Sequence, residues 1–127
     1  MAEAPDELFL QSLSPFLSRP FWLALEKSGA VSSERGWWAQ HLLLLDDDSQ
    51  VMALLPLFIK NHNRGEYVFD HAWAQAYANN GLDYYPRLVS AVPFTPVTGS
   101  RVWLMEEIDL NDVLPLLLNG VQQVAEQ

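Results

Sequence analysis

The chain has 127 residues, with 7 Lys and Arg against 16 Asp and Glu, and its formal net charge is −9. Half of the residues are apolar and 18% are charged, which excludes a disordered acidic tail, since such a tail lacks the apolar side chains to collapse. The acidic balance argues against direct nucleic-acid binding, which needs a basic face, and we expect none. Because Cys is absent, disulfides, thiolate metal sites and a Cys nucleophile are excluded as well. The length predicts a single domain over residues 1–127.

The termini and the longest apolar run predict a cytoplasmic protein without a membrane partner. The N-terminal sequence MAEAPDELFL has no basic segment before its apolar residues, unlike a secretory signal. The longest apolar run, 51–59, contains Pro56, and it is far shorter than the ~20 residues that a membrane-spanning helix needs.

The first predicted helix follows Ser18. Ser18 is a suitable N-cap, Pro20 fits the first turn, and the apolar residues that follow lie on one helical face. Gly29 is a natural end, since glycine readily adopts the left-handed conformation.

Two strand-like runs, 37–45 and 50–60, come next and are joined by an acidic turn that begins at Asp46. Neither run alternates between polar and apolar residues, which predicts strands covered on both faces. Pro56 lacks an N–H, so we expect its strand to lie at an edge or to bulge there.

In the second half, residues 66–70 are predicted to form a short strand, and residues 72–80 a helix that ends before Gly81. Residues 87–92 and 102–105 are two further strand candidates.

The last helix has the clearest pattern. Its apolar residues recur at three- and four-residue spacing: Leu110, Val113, Leu114, Leu117, Leu118, Val121 and Val124. Asn111 or Asp112 is the expected N-cap, and the apolar face must pack against another element. The order of elements predicts a mixed α/β (α+β) fold.

The segment 60–96 concentrates the polar and aromatic residues that could form a site. A metal site would use four side chains: His62, Glu66, Asp70 and His71. It is disfavoured because Gly65 and the β-prone residues after Glu66 argue against the continuous helix that this spacing needs, and we expect no metal. A Ser-His-Asp triad is also disfavoured, since neither Ser90 nor Ser100 lies in a Gly-x-Ser-x-Gly elbow.

A third interpretation of this segment is a binding surface. Tyr and Trp rings offer rigid contact area with polar groups, and Arg64, Arg87 and Arg101 could hold a carboxylate or phosphate. The alternative is structural. Each aromatic residue could belong to the core, and Asp70 could cap the helix that starts near Ala72.

Three motifs are distinctive in combination: GEYVFD at 65–70, YYPRL at 84–88 and VPFTPVTG at 92–99. With them, the chain up to about Leu104 resembles the FemAB-like family of bacterial proteins, predicted N-acyltransferases of peptidoglycan biosynthesis or recognition. The resemblance implies a GNAT-like, mainly antiparallel mixed sheet flanked by helices. Family members are much longer, which implies that this chain is one half of a tandem GNAT-like enzyme.

The implied activity is acyl or aminoacyl transfer to an amine, with acyl-CoA or aminoacyl-tRNA as donor for the full-length family. We expect no cofactor in this chain, because no Gly-rich loop precedes the last helix and four carboxylates surround its start: Glu106, Glu107, Asp109 and Asp112. Such a group of carboxylates repels a pyrophosphate.

Candidate site residues follow from the same motifs. Asp70 or His71 is the candidate catalytic base. The candidate substrate-binding residues are Tyr67, Trp73, Tyr84, Tyr85, Arg87, Thr95 and Arg101. The expected partners are a small-molecule or peptide-like amine and either a homodimer or a second GNAT-like half. Two alternatives remain open: a non-catalytic recognition or oligomerisation module, and a remnant that folds without activity.

Overall fold

The computed structural model describes residues 1–10, 14–64, 66 and 69–127. Within these ranges the chain forms three α-helices and six short strands, in the order α1 (Arg19–Lys27), β1 (Trp37–Ala39), β2 (Leu42–Leu45), β3 (Val51–Leu55), β4 (Phe58–Lys60), α2 (His71–Asn79), β5 (Arg87–Val89), β6 (Trp103–Leu104) and α3 (Leu110–Ala125). The strands make two antiparallel sheets, ordered β1-β4-β5 and β2-β3-β6. This arrangement confirms the mixed α+β class and is consistent with a partial GNAT-like unit.

Each of the two long strand-like runs divides into two strands that belong to different sheets. The run 50–60 breaks at Pro56, which lies between β3 and β4 and has no N–H for a strand ladder. The predicted hairpin between β2 and β3 is confirmed. Its turn is closed by Asp46, whose Oδ1 accepts the backbone N–H groups of Asp48 at 2.9 Å and Gln50 at 2.8 Å.

Strand β3 lies between the two hydrophobic clusters of the core. Leu54 packs with the aromatic cluster, whose fully buried rings include Trp22 and Trp37, while Ala53 packs with Val113 and Leu117 of α3. Coverage on both faces is therefore confirmed for β3.

The same expectation is wrong for β2. Strand β2 is at the edge of its sheet, and Leu43 and Leu45 are 38% and 48% exposed. A single covering layer reaches only alternate residues of an edge strand, here Leu42 and Leu44.

Helix α1 begins after Ser18 as predicted, but the Ser18 hydroxyl makes no capping hydrogen bond and donates to the carbonyl of Pro15 instead. Helix α2 is followed by Gly81 at φ +69°. The N-cap prediction for α3 is wrong. The cap is Asp109, whose Oδ1 accepts the backbone N–H of Asn111 at 2.7 Å. The helix starts at Leu110, so the predicted cap residues already lie inside its first turn.

The apolar stripe of α3 is wider than the sheet beneath it. Val113 and Leu117 are buried, whereas Leu110, Leu114 and Leu118 are 40%, 39% and 58% exposed. The predicted burial of the whole face is therefore wrong along one flank, because the helix packs over the edge strand β2.

The remaining strand predictions are confirmed only in shortened form. Strand β5 covers the first half of the predicted run 87–92, and β6 covers two residues of 102–105. The strand predicted at 66–70 falls partly outside the described residues, and those of its residues that are described, Glu66, Phe69 and Asp70, form no strand.

Candidate functional site

Two cations lie side by side where β4 meets β5. The antiparallel register pairs Lys60 with Arg87, and directly paired residues project from the same face of a sheet. The Lys60 side chain is fully buried, and that of Arg87 is 26% exposed. Two neighbouring positive charges out of water require anionic partners.

Glu66 and Asp70 provide those anions. The Oε2 atom of Glu66 lies 2.8 Å from Lys60 Nζ and 2.7 Å from Arg87 Nη2. The Oδ2 atom of Asp70 also lies 2.7 Å from Arg87 Nη2. Two positive and two negative side chains thus form a charge-balanced network, which we call the Arg87 network.

Two tyrosines complete the Arg87 network. The Tyr85 hydroxyl donates to Asp70 Oδ1 at 2.8 Å, and Arg87 Nη1 donates to the Tyr84 hydroxyl at 2.8 Å. Burial, together with the hydrogen bond to Asp70, raises the pKa of Tyr85 far above its ordinary value of 10.0. Tyr85 is therefore a neutral donor at physiological pH.

The same contacts hold Asp70 in its anionic form. Burial alone would raise the pKa of Asp70, but the hydrogen bond from Tyr85 and the charge of Arg87 outweigh it, and the pKa lies below the ordinary 3.8. A carboxylate stabilised in this way is a weak proton acceptor.

Asp70 and His71 are neighbours in sequence with different surroundings. Asp70 occupies the N-cap position of α2 but makes no capping hydrogen bond, so the capping interpretation is wrong because the carboxylate is held by the Arg87 network. His71 is exposed. Its ring Nδ1 lies 2.7 Å from Asn63 Nδ2, and the ring stacks on Phe69 at 5.3 Å between centroids.

An open cleft of about 550 Å³ adjoins this region, and the sequence patterns did not predict it. It is lined by Ala30, Glu34, Arg35, Gly36, Trp37, Asn61, His62, Arg64 and Phe94. Trp37 connects the cleft to the Arg87 network, since Lys60 Nζ lies 4.4 Å from the centre of its ring. Of the lining cations, sequence reasoning had singled out Arg64 but not Arg35.

A family model described as FemAB-like, peptidoglycan biosynthesis/recognition, matches residues 2–127. The chain belongs to the FemAB-like family. No curated protein and no solved structure matches the chain. The family match confirms the resemblance carried by the three motifs, and both the Arg87 network and the cleft lie within the matched residues.

The structure of this FemAB-like chain brings together Asp70, Tyr84, Tyr85 and Arg87. The other candidate substrate-binding residues have different surroundings or lie outside the described residues. Trp73 is 66% exposed on α2. The Thr95 hydroxyl donates to the carbonyl of Pro93 at 3.2 Å, and Arg101 donates to that of Val97 at 2.8 Å. Among the described residues, no hydrogen bond, ion pair or ring contact links these three to the Arg87 network, and Tyr67 lies outside the described residues.

The former metal-site candidates have other partners. His62 Nε2 donates to the carbonyl of Arg35 at 2.8 Å, and Glu66 is held by Lys60 and Arg87. Across the part of the chain that the structure describes, no group of three or more His, Asp or Glu side chains could hold a metal ion. None of the described helices is long and apolar enough to cross a membrane.

Proposed function

We propose that this FemAB-like chain takes part in N-acyl or aminoacyl transfer to the amine of a peptide-like acceptor, as one half of a tandem GNAT-like enzyme. The family match over residues 2–127 carries the proposal, because the peptide part of peptidoglycan is built by forming amide bonds on amines. The partial α+β unit and the open cleft beside the Arg87 network support it.

In the proposed reaction the neutral amine attacks the acyl carbonyl carbon of the donor. The C–N bond forms, the C–S or C–O bond to the leaving group breaks, the amine loses one proton and the leaving group gains one. Of the two candidate bases, His71 is the better suited to accept that proton, since its ring is exposed while Asp70 is held as an anion by Tyr85 and Arg87. Asp70 is then a positioning residue. The residues that remain predicted acceptor contacts are Tyr67, Trp73, Tyr84, Tyr85, Arg87, Thr95 and Arg101.

The donor is an acyl-CoA thioester or an aminoacyl-tRNA. At a net charge of −9 the chain repels tRNA at long range. An aminoacyl-tRNA donor would therefore need a basic surface from the other half of the enzyme.

The test is a mass-spectrometric assay for acyl transfer to a lysine-containing peptide by the chain together with its second GNAT-like half, with acetyl-CoA and alanyl-tRNA as donors. Loss of a general base lowers the rate by about 10²–10⁴-fold, which is the effect expected for His71→Gln. Gln75→Ala is the control on the same helix, since Gln75 bonds only to Asn79 among the described residues, and it should leave the rate unchanged. If His71→Gln transfers the acyl group at the rate of the unsubstituted protein, the assignment of His71 as the base is wrong. If no product forms with either donor, the proposal is refuted.

A second candidate function, self-association, is favoured by the open edge of β2 and the leucine flank of α3. Unpaired strand edges invite pairing. If β2 pairs antiparallel with β2 of a second copy, leucines meet leucines, and the two acidic turns at Asp46 lie at opposite ends of the interface. Light scattering after size exclusion should then show a dimer that Leu118→Glu dissociates, while a monomer at every concentration excludes this function.

A further inference from the structure

The cleft contains two positive charges that have no partner among the described residues. Four cations have partners within the described residues: Arg19, Lys60, Arg87 and Arg101. The guanidinium groups of Arg35 and Arg64 make no hydrogen bond or ion pair with any described residue, and both side chains line the cleft. In a chain with more than twice as many acidic as basic residues, two exposed arginines at one opening, with no partner among the described residues, favour an external anion.

One residue of the cleft wall also has a buried donor with no partner in the described chain. Trp37 is 1% exposed and lines the cleft, yet its buried indole Nε1 has no acceptor among the described residues. A buried donor without an acceptor destabilises the folded protein.

The wall of the cleft is tightly built. Gly36 has φ +72°, and a Cβ at this position would come within 2.3 Å of both Asn61 Oδ1 and His62 Nε2. The His62 ring is in turn fixed by its hydrogen bond to the Arg35 carbonyl. The segments that carry Arg35 and Arg64 are therefore held against each other at the backbone.

The remaining charge in the cleft indicates what kind of anion it takes. Glu34 also lines it, so the opening presents two positive groups and one negative group. A diphosphate would meet this carboxylate and an overall charge of −9. A ligand with a carboxylate and an ammonium group can place its carboxylate against the two arginines and its ammonium group against Glu34.

We propose that the cleft is a carboxylate-binding subsite, in which Arg35 and Arg64 bind the carboxylate of a peptide-like ligand and Glu34 faces its ammonium group. That the ligand is a peptide rests on the proposed function. The preference for a carboxylate rests on the cleft residues alone.

Isothermal titration calorimetry with the tripeptide lysyl-alanyl-alanine, its C-terminal amide and inorganic pyrophosphate tests this subsite. Charge-assisted hydrogen bonds contribute enough for a tenfold change in affinity. We expect the free acid to bind at least tenfold more tightly than the amide and more tightly than pyrophosphate. Arg35→Gln and Arg64→Gln should each weaken binding about tenfold.

Lys27→Gln is the matched control, because it also removes one positive charge but lies in the last turn of α1, outside the cleft. It should bind the free acid like the unsubstituted protein, and urea midpoints confirm that each variant is folded. Equal affinity for acid and amide, tighter binding of pyrophosphate, no binding at millimolar peptide, or arginine variants that bind normally would each overturn the proposal. Binding with the expected preferences but without acyl transfer would support the subsite and remove the proposed reaction instead.

Discussion

The charge balance of the Arg87 network predicts a specific pattern of stability changes. Glu66→Gln keeps the size of the side chain but removes one negative charge, and it leaves the fully buried ammonium of Lys60 without its partner at 2.8 Å. Lys60→Met leaves one excess negative charge. The double variant contains one cation and one anion, Arg87 and Asp70, which remain paired at 2.7 Å.

Removing one member of a buried ion pair costs about 3–5 kcal/mol. We expect a loss of about 3 kcal/mol for Glu66→Gln, at the lower end of that range, because the Glu66 side chain is 18% exposed. For a domain of this size the urea dependence is about 1.5 kcal/mol/M, so the unfolding midpoint should fall by about 2 M. In the double variant the buried charge is again balanced and methionine packs against Trp37, so about 2 kcal/mol of the loss should be recovered relative to Glu66→Gln.

The assay is urea denaturation followed by tryptophan fluorescence, with the slope compared between variants to confirm that the extent of unfolding is unchanged. Two results would refute the reasoning. One is a loss below about 1 kcal/mol for Glu66→Gln, which is typical of a solvent-screened pair. The other is a double variant whose loss equals the sum of the two single losses.

Three further predictions concern other parts of the chain. Burial lowers the pKa of His41 below 6.5, and this effect outweighs the opposing effect of the hydrogen-bonded carboxylate partner. The contribution of His41 to stability should therefore be lost as the pH falls from 6.5 through the folded-state pKa. In urea titrations, His41→Asn should flatten this part of the pH dependence. Gly36→Ala should lower the free energy of unfolding more than Gly29→Ala, since both glycines have left-handed φ but only Gly36 lacks room for a Cβ. The Gly29→Ala variant should lose about 1 kcal/mol. Equal urea midpoints for the two variants would contradict the close packing at Gly36. Leu117→Ala should cost about 2–4 kcal/mol and Leu118→Ala less than about 0.5 kcal/mol in the same assay, because these leucines are 3% and 58% exposed.

Local patterns predicted the helices well and the strands less well. Helix α1 was predicted from Ser18 and Pro20, because capping and the first turn depend on residues within a few positions. The cap of α3 was placed two or three residues too late, since several polar residues at its start were equally suitable caps. How the strands divide between the two sheets depends on partners that are distant in sequence. Hydrophobic periodicity does not predict such partners.

In the candidate site, too, local features were predicted from the sequence and long-range contacts were not. The motifs identified the family and singled out Asp70, Tyr84, Tyr85 and Arg87, which the structure brings together. They did not reveal that the Asp70 carboxylate is engaged internally, because Tyr85 lies 15 residues away.

The sequence by itself determined the acidic charge of the chain, its α+β class and its membership in the FemAB-like family, since composition, short-range periodicity and motif order are properties of the linear chain. Only the tertiary structure decided which charges are balanced internally and which remain open. Lys60 and Arg87 are 27 positions apart but paired across β4 and β5. There the carboxylates of Glu66 and Asp70 neutralise their charges. Arg35 and Arg64 are brought to one cleft, and there no described carboxylate pairs with them.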